Sequence, residues 1–231
     1  MGFTVAIIQA RMGASRLPNK MLLHFHGHPV VEWVYRRVSQ SKKIHKVIFA
    51  LPDSEKDDLL AWYLELIGAN VFRGSELDLV DRFYQAAKSA NATRVVRICA
   101  DNPLICASEV DRLIDFANQH DCDYAHNNIP RNNSWPDGLG AEICNMALLE
   151  EMHSKAILPE HREHLFNYVW QNSGQYKIAT FEPPEAIAHP ELKLDIDTMN
   201  DYHRLLQIPF QIDMDAIEVV QAALFNAKLH V

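Results

Sequence analysis

Three cations, Arg11, Arg16 and Lys20, follow an apolar run in the segment Val5-Ala6-Ile7-Ile8-Gln9-Ala10-Arg11-Met12-Gly13-Ala14-Ser15-Arg16-Leu17-Pro18-Asn19-Lys20. A buried strand that ends abruptly in a loop of small residues brings backbone N–H groups close to an anion, and three cations balance several negative charges. Such a loop suits a triphosphate. It is not a Walker A loop: G-x-x-x-x-G-K-[ST] is absent and Met21 follows Lys20. The G-x-G-x-x-G dinucleotide pattern is absent too. On composition alone, a basic surface loop without a ligand competes with this reading.

Carboxylates supply the complementary chemistry. Asp101-Asn102-Pro103 directly follows the apolar run Val95–Cys99, and Leu194-Asp195-Ile196-Asp197-Thr198 reads as a short strand with both acids on one face. Nucleotide-bound Mg²⁺ takes oxygen ligands, usually one or two carboxylates together with phosphates and water. Asp101 with Asp197 is the preferred pair; a helix N-cap is the competing role for Asp197. Gly74 and Ser75, after Val71-Phe72-Arg73, offer backbone donors for a base or ribose, or form an ordinary turn capped by Ser75 or Asp78 ahead of Asp81-Arg82. His161 and His164 lie three apart beside Glu160 and Glu163, without the H-E-x-x-H pattern or an evident third zinc ligand. Arg162, Glu163 and His164 instead suit contact with a polar substrate. No G-x-S-x-G elbow occurs, and no cysteine has a histidine partner by spacing.

The elements that must position these groups alternate regularly. Val5–Ala10, Val47–Leu51, Val71–Phe72 and Val95–Cys99 read as strands. Between and after them, Val30/Val34/Val38, Leu59/Leu60/Tyr63/Leu66/Ile67, Leu79/Phe83/Ala86/Ala87 and Val110/Leu113/Ile114/Ala117 recur at helical spacing. The order predicts an α/β fold: a mainly parallel central sheet with helices on both faces, ligands binding beyond the carboxyl ends of the strands. The loops Arg11–Lys20, Pro52–Ser54, Arg73–Asp81 and Asp101–Leu104 should therefore gather at one edge. Residues 125–175 break the rhythm with a polar loop or hairpin through Asn127–Gly138, then helical patterns at Met146–Ala156 and Glu160–Gln171. This excursion suits substrate closure or a subunit contact. A strand at Tyr176–Phe181 and a helix over Asp215–Lys228 complete the reading.

At 231 residues, 48% hydrophobic and 23% charged, the chain suits one substantial core, so residues 1–231 are expected to form a single domain. The net charge of −8 argues against a nucleic-acid partner, yet residues 1–43 carry seven Lys or Arg against one acid, Glu32. That local excess favours a small anionic ligand. The cysteines Cys99, Cys106, Cys122 and Cys144 form no C-x-x-C pair, and neither a signal peptide nor an apolar membrane span is visible. A cytoplasmic protein with no membrane insertion is expected.

The segment Ile8–Lys20 resembles the opening of the cytidylyltransferase family, closest to the SpsF-type spore coat polysaccharide proteins and akin to the CMP-sialic acid, CMP-pseudaminic acid and CMP-Kdo synthetases. The blocks Val71–Tyr84, Ala100–Ile105, Arg162–His164 and Asp197–Asp201 agree, in the family's order, across nearly the whole chain. Ala14 stands where a small Ser is usual, and Met199-Asn200 where Pro-Glu is common. The resemblance implies a Rossmann-like nucleotide-diphospho-sugar transferase fold and a homodimer, with the 125–175 excursion a candidate contact. By it, Arg11, Gly13, Ser15 and Lys20 would bind the CTP phosphates, with Ala10 and Met12 also in the nucleotide site and Arg11, Lys20 and Asp101 catalytic. Asp101 and Asp197 would hold Mg²⁺, and Arg73, Ser75 and Asp81 would lie near the nucleoside. Asp137, Glu142, Arg162, Glu163 and His164 are the expected sugar contacts. The implied reaction joins CMP from CTP to a nonulosonic-type sugar acid with release of pyrophosphate, for surface polysaccharide or glycan biosynthesis. Two alternatives stand beside it: a metal-dependent glycosyltransferase using Asp195-Ile196-Asp197 as a D-x-D, and a non-catalytic nucleotide-binding subunit.

Overall fold

A computed structural model describes residues 2–229; residues 1, 230 and 231 of the expected domain lie outside it. The chain runs β1 (Thr4–Gln9), β2 (His24–Phe25), β3 (His28–Pro29), α1 (Val30–Val38), β4 (Lys46–Pro52), α2 (Asp58–Leu66), β5 (Asn70–Gly74), α3 (Leu79–Ser89), β6 (Arg94–Cys99) and α4 (Ala107–Gln119). It continues through β7 (Tyr124–His126), β8 (Glu142–Asn145), α5 (Met146–Lys155), α6 (Pro159–Glu163), α7 (Asn167–Gln171), β9 (Ile178–Ala179), α8 (Met199–Leu206) and α9 (Ala216–Leu229). Seven strands form one sheet in the order β5-β4-β1-β6-β8-β7-β9. Pairings from β5 to β6 are parallel, whereas β8 runs antiparallel to both β6 and β7.

Both faces of the sheet are covered, so its central strands are apolar on both sides, as parallel strands are. Ala6, Ile8, Phe49, Leu51, Val96 and Ile98 pack against α1, α2 and α4. Val5, Ile7, Ile48, Ala50 and Val95 pack against α3, α5 and α7. A third cluster joins Phe25 and Trp33 to Trp135, Leu194, Ile196 and the apolar faces of α8 and α9. Strand order reverses beside β1: β4 and β5 extend to one side, then the chain crosses to add β6 on the other. A crevice opens at that reversal, beyond the carboxyl ends of β1 and β6.

Four expectations change. The segment Leu194–Thr198 is not a strand; its contacts are an isolated bridge between Lys193 and Asp137 and single backbone bonds. The buried side chains of Leu194 and Ile196 produce the alternation without a ladder. The stretch Glu160–Gln171 is two short helices, α6 and α7, and of Tyr176–Phe181 only β9 is strand. The N-cap role near Asp197 belongs to its neighbour: Thr198 Oγ1 accepts from Asp201 N at 3.2 Å, and Asp201 Oδ2 accepts from Thr198 N at 2.8 Å. Burial opposes the charge of Asp201, but hydrogen bonds from Thr198 and Lys193 outweigh it and lower its pKa to about 2.

Gly138 adopts φ +89, and a Cβ there would lie 2.9 Å from the backbone nitrogen of Asp195. Gly138→Ala therefore combines a left-handed backbone with a clash, and should cost about 2 kcal/mol or more in thermal unfolding. At Gly13, a Cβ would meet nothing within 4 Å, and Gly13→Ala should leave the melting temperature unchanged.

Candidate active site

The loop after β1 is shaped by its own backbone and by one buried acid. Asp57 Oδ1 accepts from Met12 N at 2.7 Å, and Met12 O accepts from Ala14 N and Asn19 N. These bonds leave the N–H groups of Arg11, Ser15 and Arg16, all cavity-lining residues, without acceptors among the described residues. They form a rim of free donors, as an anion cradle requires.

From that loop Lys20 turns inward and is buried. Its Nζ donates to Asp101 Oδ2 at 2.6 Å, to the carbonyl of Ile196 at 2.9 Å and to Asp197 Oδ1 at 3.4 Å. Ile196 N donates to the Asp101 carbonyl at 2.8 Å, which fixes the two acidic segments side by side. Arg16 pairs with the other Asp197 oxygen at 2.9 Å. Three segments remote in sequence thus meet around one ammonium.

A cavity of about 690 Å³ opens beside this cluster. Ala10, Arg11, Ser15, Lys20, Asp101, Asp197, Arg162, Glu163 and His164 all line it, as do Gln9, Arg16, Glu76, Arg82 and Cys99. The excursion supplies one wall through Ile157, Pro159 and Arg162–His164. Arg162 holds that wall in place: its Nε and Nη2 reach Asp78 Oδ2 at 2.8 and 2.5 Å, and Nη1 donates to the His153 carbonyl. Asp78 Oδ1 meanwhile caps α3.

Other expected site residues lie off the cavity. Met12 is buried and its N–H is taken by Asp57, while Gly13 sits on the loop's outer side. Arg73 is spent on structure, donating to Pro52 O, Ser54 O and, at 2.5 Å, Asp58 Oδ1. Ser75 Oγ accepts from Asp78 N, and Asp81 pairs with His153 at 2.9 Å. Glu142 is buried between Arg97 and Tyr124, both of its oxygens engaged. Asp137 pairs along the backbone with residues 192–194. Asp195 does not line the cavity either; burial, reinforced by the nearby charge of Asp137, raises its pKa to about 7.

Arg82 is a functional candidate that the sequence reading did not include. It is only 4% exposed, lines the cavity, leaves Nε without a partner and makes no ion pair among the described residues. Burial, with Arg11 adding repulsion, lowers its pKa to about 10. A buried cation without a carboxylate is costly unless an anion arrives to neutralise it. The Leu79–Ser89 helical stripe was the signal: Arg82 falls one residue before Phe83 on its inward face.

The sequence profile of the cytidylyltransferase family matches residues 5–229. The chain belongs to this family. SpsF, the spore coat polysaccharide biosynthesis protein of Bacillus subtilis, is 30% identical over 204 residues, 86% of this chain and 83% of SpsF. A cytidylyltransferase from Leptospira borgpetersenii has the same fold, with a TM-score of 0.90 at 29% identity, over 99% of this chain and 97% of that one. A CMP-2-keto-3-deoxy-manno-octonic acid synthetase solved with CTP shares the fold at a TM-score of 0.66 and 19% identity, over 88% of this chain and 97% of that one. This cytidylyltransferase-family enzyme has the expected mainly parallel α/β sheet, and no described helix is long and apolar enough to cross a membrane.

Arg82→Met keeps the packed stem of the side chain and removes its charge. Calorimetric affinity for inorganic pyrophosphate should fall about tenfold or more without a drop in melting temperature. Unchanged affinity would show that Arg82 is not part of the anion site.

Proposed function

We propose that this cytidylyltransferase-family enzyme transfers CMP from CTP to a sugar acid of the nonulosonic type, releasing pyrophosphate for glycan assembly. The observation that carries the reading is the meeting of Lys20, Asp101 and Asp197 at the wall of a cavity also lined by Arg11, Arg16 and Arg82. A triphosphate needs that density of cations, and the two carboxylates need a cation of their own. The cavity is large enough for a nucleotide with a second ligand beside it.

Asp101 and Asp197 fit Mg²⁺ as hard oxygen donors, and they already share one positive charge, the Lys20 ammonium. When bound, the ion would neutralise phosphate charge and polarise the reacting phosphoryl group. With the ion held by the two carboxylates, Lys20 would be released to pair with a phosphate oxygen, a short movement for a long flexible side chain. The sugar hydroxyl attacks the α-phosphorus; an oxygen–phosphorus bond to the sugar forms as the bond to pyrophosphate breaks, and the hydroxyl proton passes to solvent water. Arg11, Arg16 and Arg82 stabilise the charge that accumulates on the departing pyrophosphate, with the free N–H groups of the loop contributing. Glu163 and His164, which line the cavity from the excursion, are the polar groups assigned to the second substrate. The D-x-D alternative lacks comparable support, because Asp195 does not line the cavity.

A pyrophosphate-release screen of CTP, UTP, ATP and GTP against nonulosonic acids and related sugars with Mg²⁺ tests the proposal. CTP with a sugar acid should be the productive pair; silence from every sugar acid overturns the reading. Lys20→Met should reduce kcat/KM by about a hundredfold or more. The same variant should bind Mn²⁺ about tenfold more tightly than wild type in the absence of nucleotide, read by electron paramagnetic resonance, since the competing ammonium is gone. Asp101→Asn should lose that binding.

A further inference from the structure

Gln9, at the end of β1, lies opposite Cys99 at the end of β6, and both line the cavity where the strand order reverses. Two residues back along β6, on the same face, Arg97 Nε donates to Gln9 Oε1 at 3.0 Å. A guanidinium carries only donors, so this contact decides which way the carboxamide is turned. Oε1 must face Arg97, and the Nε2 amino group must face away from it. Nε2 donates to no atom among the described residues and is not enclosed.

Arg97 is itself held. It forms an ion pair with Glu142, its opposite number on β8, and the second Glu142 oxygen accepts from Tyr124 Oη at 2.5 Å. Tyr124 is wedged between Phe166 and Trp170 of the excursion, with ring centroids at 4.5 and 5.6 Å. Beside Gln9 stands Cys99, a half-buried thiol in no disulfide. The floor of the cavity here therefore presents one oriented neutral donor. The free cations, by contrast, lie on the loop after β1 and at Arg82.

We propose that Gln9 is a specificity-determining residue, donating through Nε2 to an acceptor oxygen of the sugar acid's carboxylate. Arg97, Glu142 and Tyr124 are positioning residues that fix its orientation. The assignment rests on the cavity taking a sugar acid beside CTP. The phosphates have their own cations; Gln9 lies on the sheet face roofed by α3 and α5, the side on which Arg162–His164 form the wall. A neutral donor there reads an acceptor without competing for the triphosphate.

Gln9→Glu preserves the oxygen facing Arg97 but replaces the free donor by an anionic acceptor. With the best wild-type sugar acid, its KM for that acid should rise about tenfold or more while the KM for CTP stays within about twofold. The penalty should largely disappear with the carboxamide analogue of the same sugar, which offers the introduced carboxylate a donor. Gln9→Met, which cannot repel, should raise the sugar KM less than Gln9→Glu; Arg97→Lys, which loses the fixed fork, should do so with Gln9 unaltered. Calorimetry of CTP binding and thermal melting identify any variant that is merely misfolded. A Gln9→Glu enzyme with unchanged sugar KM, or with equal loss toward CTP, overturns the assignment. If wild type turns over no sugar acid, the functional reading itself fails, an outcome visible before any variant is made.

Discussion

One buried ammonium organises the active end of this molecule. Lys20 carries a full charge into a site where little water reaches it, and such a charge persists only with close, well-placed acceptors. Asp101, Asp197 and the Ile196 carbonyl provide them. The requirement acts over the whole chain, because these acceptors come from the loop after β6 and from the segment before α8. The backbone bond from Ile196 to Asp101 makes the arrangement rigid rather than merely electrostatic. The capping box of α8 then fixes the direction in which Asp197 leaves the helix start.

Around this centre the polar groups fall into two sets with different physics. Arg73, Arg97 and Arg162 are saturated by carbonyls and carboxylates and serve as ties between elements. Arg11 and Arg82 make no ion pair among the described residues and line the cavity. The saturated set stabilises the fold; the unsaturated set stores unfavourable electrostatics that an anion relieves. An anion entering the cavity therefore meets electrostatics already arranged in the folded state.

Much of this was legible in the residues. The apolar runs located β1, β4 and β6 to within a residue or two, and their alternation with helical stripes was sufficient for a doubly covered, mainly parallel sheet. The placement of Arg11 and Lys20 after β1 and of Asp101 after β6 was enough to bring them to one crevice, whereas Asp197 joins them from the irregular segment before α8. What escaped depends on partners, which sequence spacing does not reveal. Arg73 looks free until Ser54 and Asp58 are beside it, and Glu142 looks available until β8 sets it opposite Arg97. Met12 lies inside the phosphate loop, yet Asp57, far along the chain, claims its N–H. Arg82 is the converse case: Nη1 donates to the Ser75 carbonyl, but Nε has no partner and no carboxylate pairs with it among the described residues, a property that only packing creates. The run Leu194–Thr198 alternates like a strand, but there is no neighbouring ladder for it to join.

The Asp78 carboxylate does two jobs at once, one oxygen closing the first turn of α3 and the other fastening Arg162. The start of that helix and the far side of the substrate chamber are consequently mechanically coupled. Arg82 sits one turn into the same helix. One carboxylate thereby ties the excursion's wall to the helix that carries Arg82, so the placing of Arg162 and the start of α3 cannot be altered independently.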